Sequence, residues 1–417
     1  MANTTLTADI IAKEALVMLE NDLGVLDTFY RAPESEYGDK VNGYKKGSTI
    51  SIRRPADFTV RETAVMDVQD AIEGKVTFAV DQMRGVDFSF SSTDLTLSVS
   101  DLSERFIKPA MSSLVNNIVA DCLDTFYPTV YNWVGTAGST VDSFADFYKA
   151  PERLDEMAVP MDNRYGVLSP PDHAGMLGNL TGLYIESDAK NAYRKGKLGN
   201  VAGIDTMMSV VTPVHTNGTA DNTTPLTRGT SNTVTYDTAK NTWTMSLSTD
   251  GWDSSATITA GTVFTIGSGA TGVYMVNPKT KASTGILQQF TVTEAVTANG
   301  TTSSETLLTI SPPIIISGPH QTVNAAPGND VAITVVGAAS TSYKQNLVYH
   351  KNAFALAMVP LELPQGAYGA SRRSYKGLSV RVIPVYDGIN DVSKWRLDVL
   401  YGRKTIDPRL ATRLSGT

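Results

Sequence analysis

One internal stretch constrains this chain more than any other. Residues 206–342 hold 11 charged side chains in 137 positions, about 8%, while the remaining 280 positions run at about 24%. The stretch also carries 31 threonines, and its runs are short and β-like: Thr233–Tyr236, Thr242–Leu247, Thr262–Ile266 and Gln289–Thr293. Asn-Gly, Asp-Gly and Gly-Ser-Gly turns lie between them, a spacing that predicts an antiparallel barrel or sandwich. A low-complexity threonine linker is the weaker reading, because aromatic and β-branched residues recur in alternation. The expected buried anchors are Trp243, Trp252, Phe264, Tyr274 and Phe290, which offer the largest apolar areas there. As an insertion into a host domain, the stretch should bring Thr206 close to Ser342.

The flanking chain mixes helix and strand. Residues 8–23 read as an amphipathic helix capped by Thr7, with Ile11, Ala15, Met18 and Leu19 on one face. Val76–Val80 and Val86–Phe90 alternate as half-buried strands do. A short helix should run to about Ile107, and a long one should open at Pro109, where proline suits a first helical position. Met111, Leu114, Val115, Ile118, Cys122 and Phe126 form its apolar stripe. A helix is expected over 141–149, another opening at Pro151, and strands over Gln345–His350, Leu378–Ile383 and Trp395–Leu400. At 417 residues the chain is long enough for two or three domains.

Composition removes several function classes. A single cysteine excludes an intramolecular disulfide and any cysteine-built zinc or iron–sulfur site. His173, His215, His320 and His350 are scattered without metal-ligand spacing, so neither a metal nor a cofactor is expected. A net charge of −7 and a pI near 5.2 argue against a dedicated nucleic-acid binder. Met1–Thr5 lacks a basic region followed by an apolar one, and no run approaches about 18 apolar residues. The expectation is a soluble chain with neither secretory signal nor membrane span.

The catalytic motifs have plain structural readings. Gly267-Ser268-Gly269-Ala270-Thr271-Gly272 fits the dinucleotide pattern, but Val273–Val276 reads as a strand where a phosphate-holding helix is required. It is expected to be a hairpin turn. Ser169, Asp172 and His173 bring hydrolase-type residues together, yet sequence neighbours rarely converge as a triad and no nucleophile elbow accompanies them. Asp172 is expected to cap a short helix through Met176 towards Leu180. Arg194-Lys195-Gly196-Lys197 reads as a solvated loop, and Cys122 as a packing residue. What remains is a structural subunit or a surface-binding module.

The order of several segments then resembles a known family. Gly47–Pro55 is similar to the opening of the extended loop in major capsid proteins of tailed bacteriophages. Val86–Ser92 and Leu102–Ala110 resemble the lead into that family's spine helix. Arg153–Glu156, Pro160–Arg164 and Val167–Pro170 are similar to its next block, and Asn346–Ala357 and Asp398–Gly402 to its closing pattern. Coat proteins of short-tailed phages of the Salmonella type carry an inserted β-domain at a similar place. The resemblance implies an α+β chain with the Hong Kong phage capsid fold and an inserted all-β barrel-like domain. It divides the chain into an N-terminal arm (1–46), an extended loop (47–75), a peripheral domain with the spine helix (76–140), an axial domain (141–205), the insertion (206–342), and a return to the axial and peripheral domains (343–417).

The resemblance further implies a major capsid protein that assembles with itself, as hexamers and pentamers, into an icosahedral shell around phage DNA. It is expected in the virion, assembled in the host bacterial cytoplasm, with a scaffolding protein and a portal as partners, DNA met only by non-specific proximity, and no membrane. Candidate inter-subunit contacts are Arg53, Arg54, Asp57, Phe58, Arg61, Glu62, Asp67, Asp70 and Glu73, a mix suited to reversible, salt-sensitive contact. Asp9, Glu14, Glu20 and Asp22 could receive a basic scaffolding partner. The alternative is a β-rich virion decoration or adhesin-type binding protein; an enzyme is not expected. Accordingly, His173→Ala should leave shell assembly and infectivity nearly unchanged, and a specific turnover abolished in a folded variant would refute the structural reading.

Overall fold

The computed structural model describes residues 12–13, 15–16, 24–31, 33, 49–61, 64–66, 68–91, 107–180, 198–220, 225–230, 232–299, 304–364, 366, 369–375 and 378–417. The chain divides into two compact units. The first takes its described residues from Met1–Ile52, Thr77–Cys122 and Phe354–Lys404, the second from Arg53–Val76, Leu123–Ala353 and Thr405–Thr417.

The first unit is organised around the long strand Val392–Thr405. Gln82–Ser91 pairs antiparallel along it, with Gln82 opposite Tyr401 and Ser91 opposite Val392. Leu378–Asp387 also pairs with it, Val382 lying opposite Leu397, and Ser371–Tyr375 follows outward. Leu397, Val399 and Tyr401 are buried at the two-residue period that the sequence shows. Gly402 is required: a Cβ there would stand 2.2 Å from the Ala79 carbonyl oxygen. Asp398, also buried, receives Arg381 at 2.7 Å and Arg396 at 2.8 Å.

The long helix runs Lys108–Phe126, with Pro109 in its first turn where a missing N–H costs nothing. Its expected stripe from Met111 to Cys122 is buried. Burial pushes the Cys122 thiol far above its ordinary range, so it packs as an unreactive apolar group. On the same helix Asp121 accepts the Tyr401 hydroxyl and faces Arg403 at 2.9 Å and Arg84 at 3.3 Å. The arm helix is described only at four positions, where Ala12, Ala15 and Leu16 are buried and Lys13 is exposed. The short helix expected to end near Ile107 lies outside the described residues.

The second unit holds a six-stranded mixed sheet in the order Trp133–Val134, Ala411–Leu414, Asn346–His350, Arg164–Leu168, Ile204–Met208, Asn200–Val201. Two helices accompany it. Phe144–Glu156 is capped by Ser143, whose hydroxyl accepts from Asp146 N. One helix rather than two occupies this region, because Pro151 lies inside it. Proline there removes one rung and crowds the preceding turn, but Phe147, Ala150, Pro151 and Leu154 are all buried, and that packing offsets the loss. The second helix is Pro170–Leu180.

The threonine-rich stretch carries a second six-stranded sheet, antiparallel, in the order Ile333–Val335, Val263–Ile266, Gln289–Val292, Thr306–Ser311, Met245–Asp250, Leu226–Thr227. It closes on itself. Leu226 bridges Ala332, Thr227 N donates to Val331 O, and Ile333 N donates to Pro225 O. Closure removes the free edges that so threonine-rich a sheet would otherwise present. The interior is apolar, from Leu247 and Trp252 through Phe264, Phe290, Leu308 and Ile310. The Phe264 and Phe290 rings lie 5.8 Å apart. Buried threonine has a partner here: Thr249 Oγ1 donates to Thr306 O and accepts from Trp252 Nε1.

Four expectations change. Thr206 belongs to the other sheet, where it lies opposite Gly166 in a parallel pair. Ser342 instead faces Thr216, and Gln345 N reaches Pro213 O, so the stretch leaves and rejoins the chain near Pro213 and Gln345. Thr233–Tyr236 is not a strand, since a short helix begins at Tyr236. Tyr274 is only half-buried, its hydroxyl donating to Gly269 O, while Trp243 is buried but outside the barrel core. The Gly267–Gly272 segment is a turn but no hairpin, because its flanking strands pair into different sheets. Gly267 has φ +68°, and a Cβ there would meet the Thr271 carbonyl oxygen at 2.3 Å.

A fragment spanning 213–345 should give a β-type circular dichroism spectrum and a cooperative melt, and Phe290→Ala should cost it about 3–5 kcal/mol. A fragment disordered in isolation would show that the closed sheet depends on its host.

Candidate inter-subunit contact surface

The loop between Thr49–Arg53 and Lys75–Ala79 has a root held inward and a tip facing solvent. At the root, Arg54 N donates to Gly74 O at 2.8 Å, continuing the ribbon. Further out, the Gln69 side chain replaces a ladder partner. Its Oε1 accepts from Thr59 N at 2.8 Å and its Nε2 donates to Thr59 O at 2.7 Å. A side-chain amide thus spaces the two arms where regular pairing has stopped.

Arg54 is not a surface contact. It is 7% exposed, and its Nε and Nη2 donate to Ile406 O at 2.9 and 2.7 Å. Burial lowers its pKa, opposed by Asp407. Asp57 also turns inward, to Arg409 Nη1 at 3.3 Å, His320 Nδ1 at 3.5 Å and Lys279 Nζ at 3.8 Å. Burial brings the His320 imidazole down to about 4, so it faces Asp57 uncharged at neutral pH. Asp407 grips Arg409 through both Nε and Nη2. Burial alone would raise the Asp407 pKa, but Arg409 and its hydrogen bonds outweigh that and hold it below its ordinary value. Trp243 completes the cluster, with the Arg409 and Arg54 guanidinium carbons 5.1 and 5.7 Å from its ring centroid.

The other candidates divide by exposure. Arg53 and Glu73 form an exposed pair at 3.4 Å, which contributes little alone. Arg61 Nη1 donates to Ala64 O, and Asp70 is exposed. Glu62 and Asp67 lie outside the described residues, as do Asp9, Glu14, Glu20 and Asp22 of the arm and the basic stretch Arg194–Lys197. Phe58 is 57% exposed, and it has company that the charge pattern obscured: Val60, Val65, Met66 and Val68 are each at least 75% exposed. The apolar alternation from Phe58 to Val60 and from Met66 to Val68 was the available signal. Five exposed apolar side chains thus lie on this one loop.

The hydrolase-type trio is a brace. Asp172 accepts from the Ser169 hydroxyl, from Val141 N at 2.8 Å and from Asn346 Nδ2 at 2.9 Å. Ser169, rather than Asp172, occupies the cap position before the helix. His173 is buried, its pKa lowered by that burial, and its backbone N–H donates to Ser169 O. Among the described residues no group of three or more His, Cys, Asp or Glu could hold a metal ion, and no helix is long and apolar enough to cross a membrane.

Comparison with known proteins decides the family. The model of the P22 coat protein, gene protein 5, matches residues 36–416. The chain belongs to the P22 coat protein family. A curated relative, the major capsid protein of Acyrthosiphon pisum secondary endosymbiont phage 1, is 20% identical over 385 residues, covering 89% of each chain. Among solved structures, a chain of Mycobacterium phage Che8 aligns with a TM-score of 0.48 at 13% identity, covering 94% of this chain and 91% of that one. A chain of the bacteriophage PhiM1 mature capsid aligns with a TM-score of 0.41 at 11% identity, covering 91% and 90%. This coat protein is therefore a structural, shell-forming major capsid protein of a phage and not an enzyme. Family membership supports the capsid fold that the sequence implied, and it removes the adhesin and decoration alternative.

The root cluster makes a pH-dependent contribution to the coat protein's stability. Because the folded-state pKa of Asp407 is depressed, that contribution is present above the ordinary carboxylate value and lost as pH falls through the folded one. Arg409→Met leaves a buried carboxylate without its cation. It should cost about 3–5 kcal/mol at neutral pH, and the acid limb of a chemical-denaturation series against pH should flatten.

Proposed function

We propose that this coat protein closes an icosahedral shell of hexamers and pentamers, and that the tip of the loop between residues 58 and 68 is a contact each subunit makes with the next copy. The observation that carries this reading is the exposed apolar row on a loop whose root is fastened inside its own subunit. A fastened root lets the tip present apolar area at a set position, so less ordering is left to be done on association. Arg53, Arg61, Asp70 and Glu73 add exposed charges of both signs on the same loop. They favour salt-sensitive contacts that release misplaced subunits during growth of the shell.

The closed sheet of residues 213–345 acts as the inserted domain, stabilising the sheet it is grafted on and lying on or across the shell surface. Asp9, Glu14, Glu20 and Asp22 receive a basic scaffolding protein. Assembly takes place in the host bacterial cytoplasm, with a portal at one vertex and DNA meeting the acidic subunit only by proximity.

The triple variant Val60→Ser, Met66→Ser, Val68→Ser tests the loop. These side chains are exposed, so the free subunit should melt within about 0.5 kcal/mol per substitution of the wild type, while shells and polyheads seen by electron microscopy and sedimentation should be lost. Shells in wild-type yield would remove the loop tip from the interface. A wild-type protein monomeric at every concentration and with any partner offered would remove the self-assembly reading itself.

A further inference from the structure

Beside the loop root lies a small cavity of about 20 Å³, with Tyr131, Trp243, Lys281, Gln288, His320 and Arg409 among its lining residues. That is room for about one water-sized particle. The charges around it do not balance. Arg54, Lys279, Lys281 and Arg409 supply four cations, while Asp57 and Asp407 supply two carboxylates. Asp407 is taken up by Arg409, and Asp57 is shared between Arg409 and Lys279 with neutral His320 beside it. Lys281 is half-buried and has no carboxylate within ion-pair distance among the described residues. Burial lowers its pKa; Asp57 opposes that, while Arg409 and Lys279 add to it.

A second observation points to a ligand. Trp243 and His320 are 4% and 7% exposed, yet Trp243 Nε1 and His320 Nδ1 make no hydrogen bond. An indole nitrogen can only donate, so what it lacks is an acceptor. Buried polar groups are normally satisfied, and a water could serve the indole. Water cannot supply the missing negative charge. A monatomic anion does both: it accepts from the indole N–H and neutralises the lysine, where the surrounding low dielectric makes the attraction strong. With room for about one water-sized particle, the cavity favours a monatomic ion over phosphate or sulfate.

We infer that this cavity is a binding site for a halide-sized inorganic anion, chloride being the ligand, held by Lys281 and the Trp243 indole N–H. The bound ion gives Lys281 the counter-charge it lacks and joins the threonine-rich stretch, which supplies Trp243, Lys281 and His320, to the turn Pro408–Leu410 that carries Arg409. Chloride is therefore a stabilising ligand of the folded subunit, distinct from general ionic screening. The inference does not depend on what the loop tip contacts.

The test is thermal unfolding of the full-length subunit in chloride against gluconate, an anion too large for the cavity, at equal ionic strength. The melting temperature should rise by about 1–2 °C per tenfold chloride above Kd, and Lys281→Met and Trp243→Phe should each abolish that rise. No chloride-specific rise in the wild type, or an undiminished rise in Lys281→Met, would overturn the proposal and leave the cavity holding water alone. Chloride-35 line broadening on the wild-type subunit is a readout that needs no variant to fold. Saturable broadening displaced by bromide is expected, and its absence overturns the site.

Discussion

A single buried guanidinium ties the closed threonine-rich sheet to the other six-stranded sheet of the second unit. Arg413, on the strand near the end of the chain, is fully buried and sits between the two. Its Nη1 donates to Gly261 O at 2.7 Å and faces Gln345 Oε1 at 3.4 Å, while Nη2 reaches Thr291 Oγ1 at 3.3 Å. The rings of Tyr127 and Trp133 cover it at 5.5 and 5.7 Å. Burial pulls its pKa down to about 9, with Tyr127 opposing, so the cation persists at neutral pH with no carboxylate partner among the described residues. It is held by neutral acceptors and ring faces, which suit arginine and would not suit lysine.

Around that cation the two sheets exchange further bonds. Trp133 N donates to Gln289 Oε1, and Gln289 Nε2 donates back to Trp133 O. Thr291 Oγ1 donates to Pro128 O. These polar bonds surround a buried apolar contact of Trp133 with Val263 and Tyr343, so the junction combines directional bonds with apolar packing. The strand carrying Arg413 pairs on one side with Trp133–Val134 and on the other with Asn346–His350. Segments distant in the chain are thereby gathered onto one strand.

The loop shows the same separation of tasks. Its root is a buried arrangement of paired charge, Arg54, Asp57, Asp407 and Arg409, packed against Trp243; its tip is apolar and exposed. Stability is concentrated where water is excluded and contact capacity where it is not. In the sequence Arg53, Arg54, Asp57 and Phe58 fall together as candidate inter-subunit contacts. Arg53 and Phe58 are exposed, but Arg54 faces Ile406, 352 positions away, and Asp57 faces His320, 263 positions away. Charge on a loop suggests solvent only until such long-range partners are known.

Periodicity and composition determined a good deal by themselves. The threonine-rich stretch as a β-domain, the long helix opening at Pro109, the buried role of Cys122 and the strands of the closing region all follow from local rules: β-branched alternation, proline at a first turn, an apolar stripe. The order of weak motifs was enough to place the chain among phage coat proteins. Only the tertiary structure decided that the β-stretch closes on itself, that its two ends meet near Pro213 and Gln345, that one helix absorbs Pro151, and that Arg54, Asp57 and Arg413 point inward. The physical reason is that burial of a charged group depends on which distant residues supply its acceptors and counter-charges. Local sequence carries each element's propensity, but Gly261, Thr291, His320 and Ile406 reach their arginine or aspartate partners only once the chain has folded.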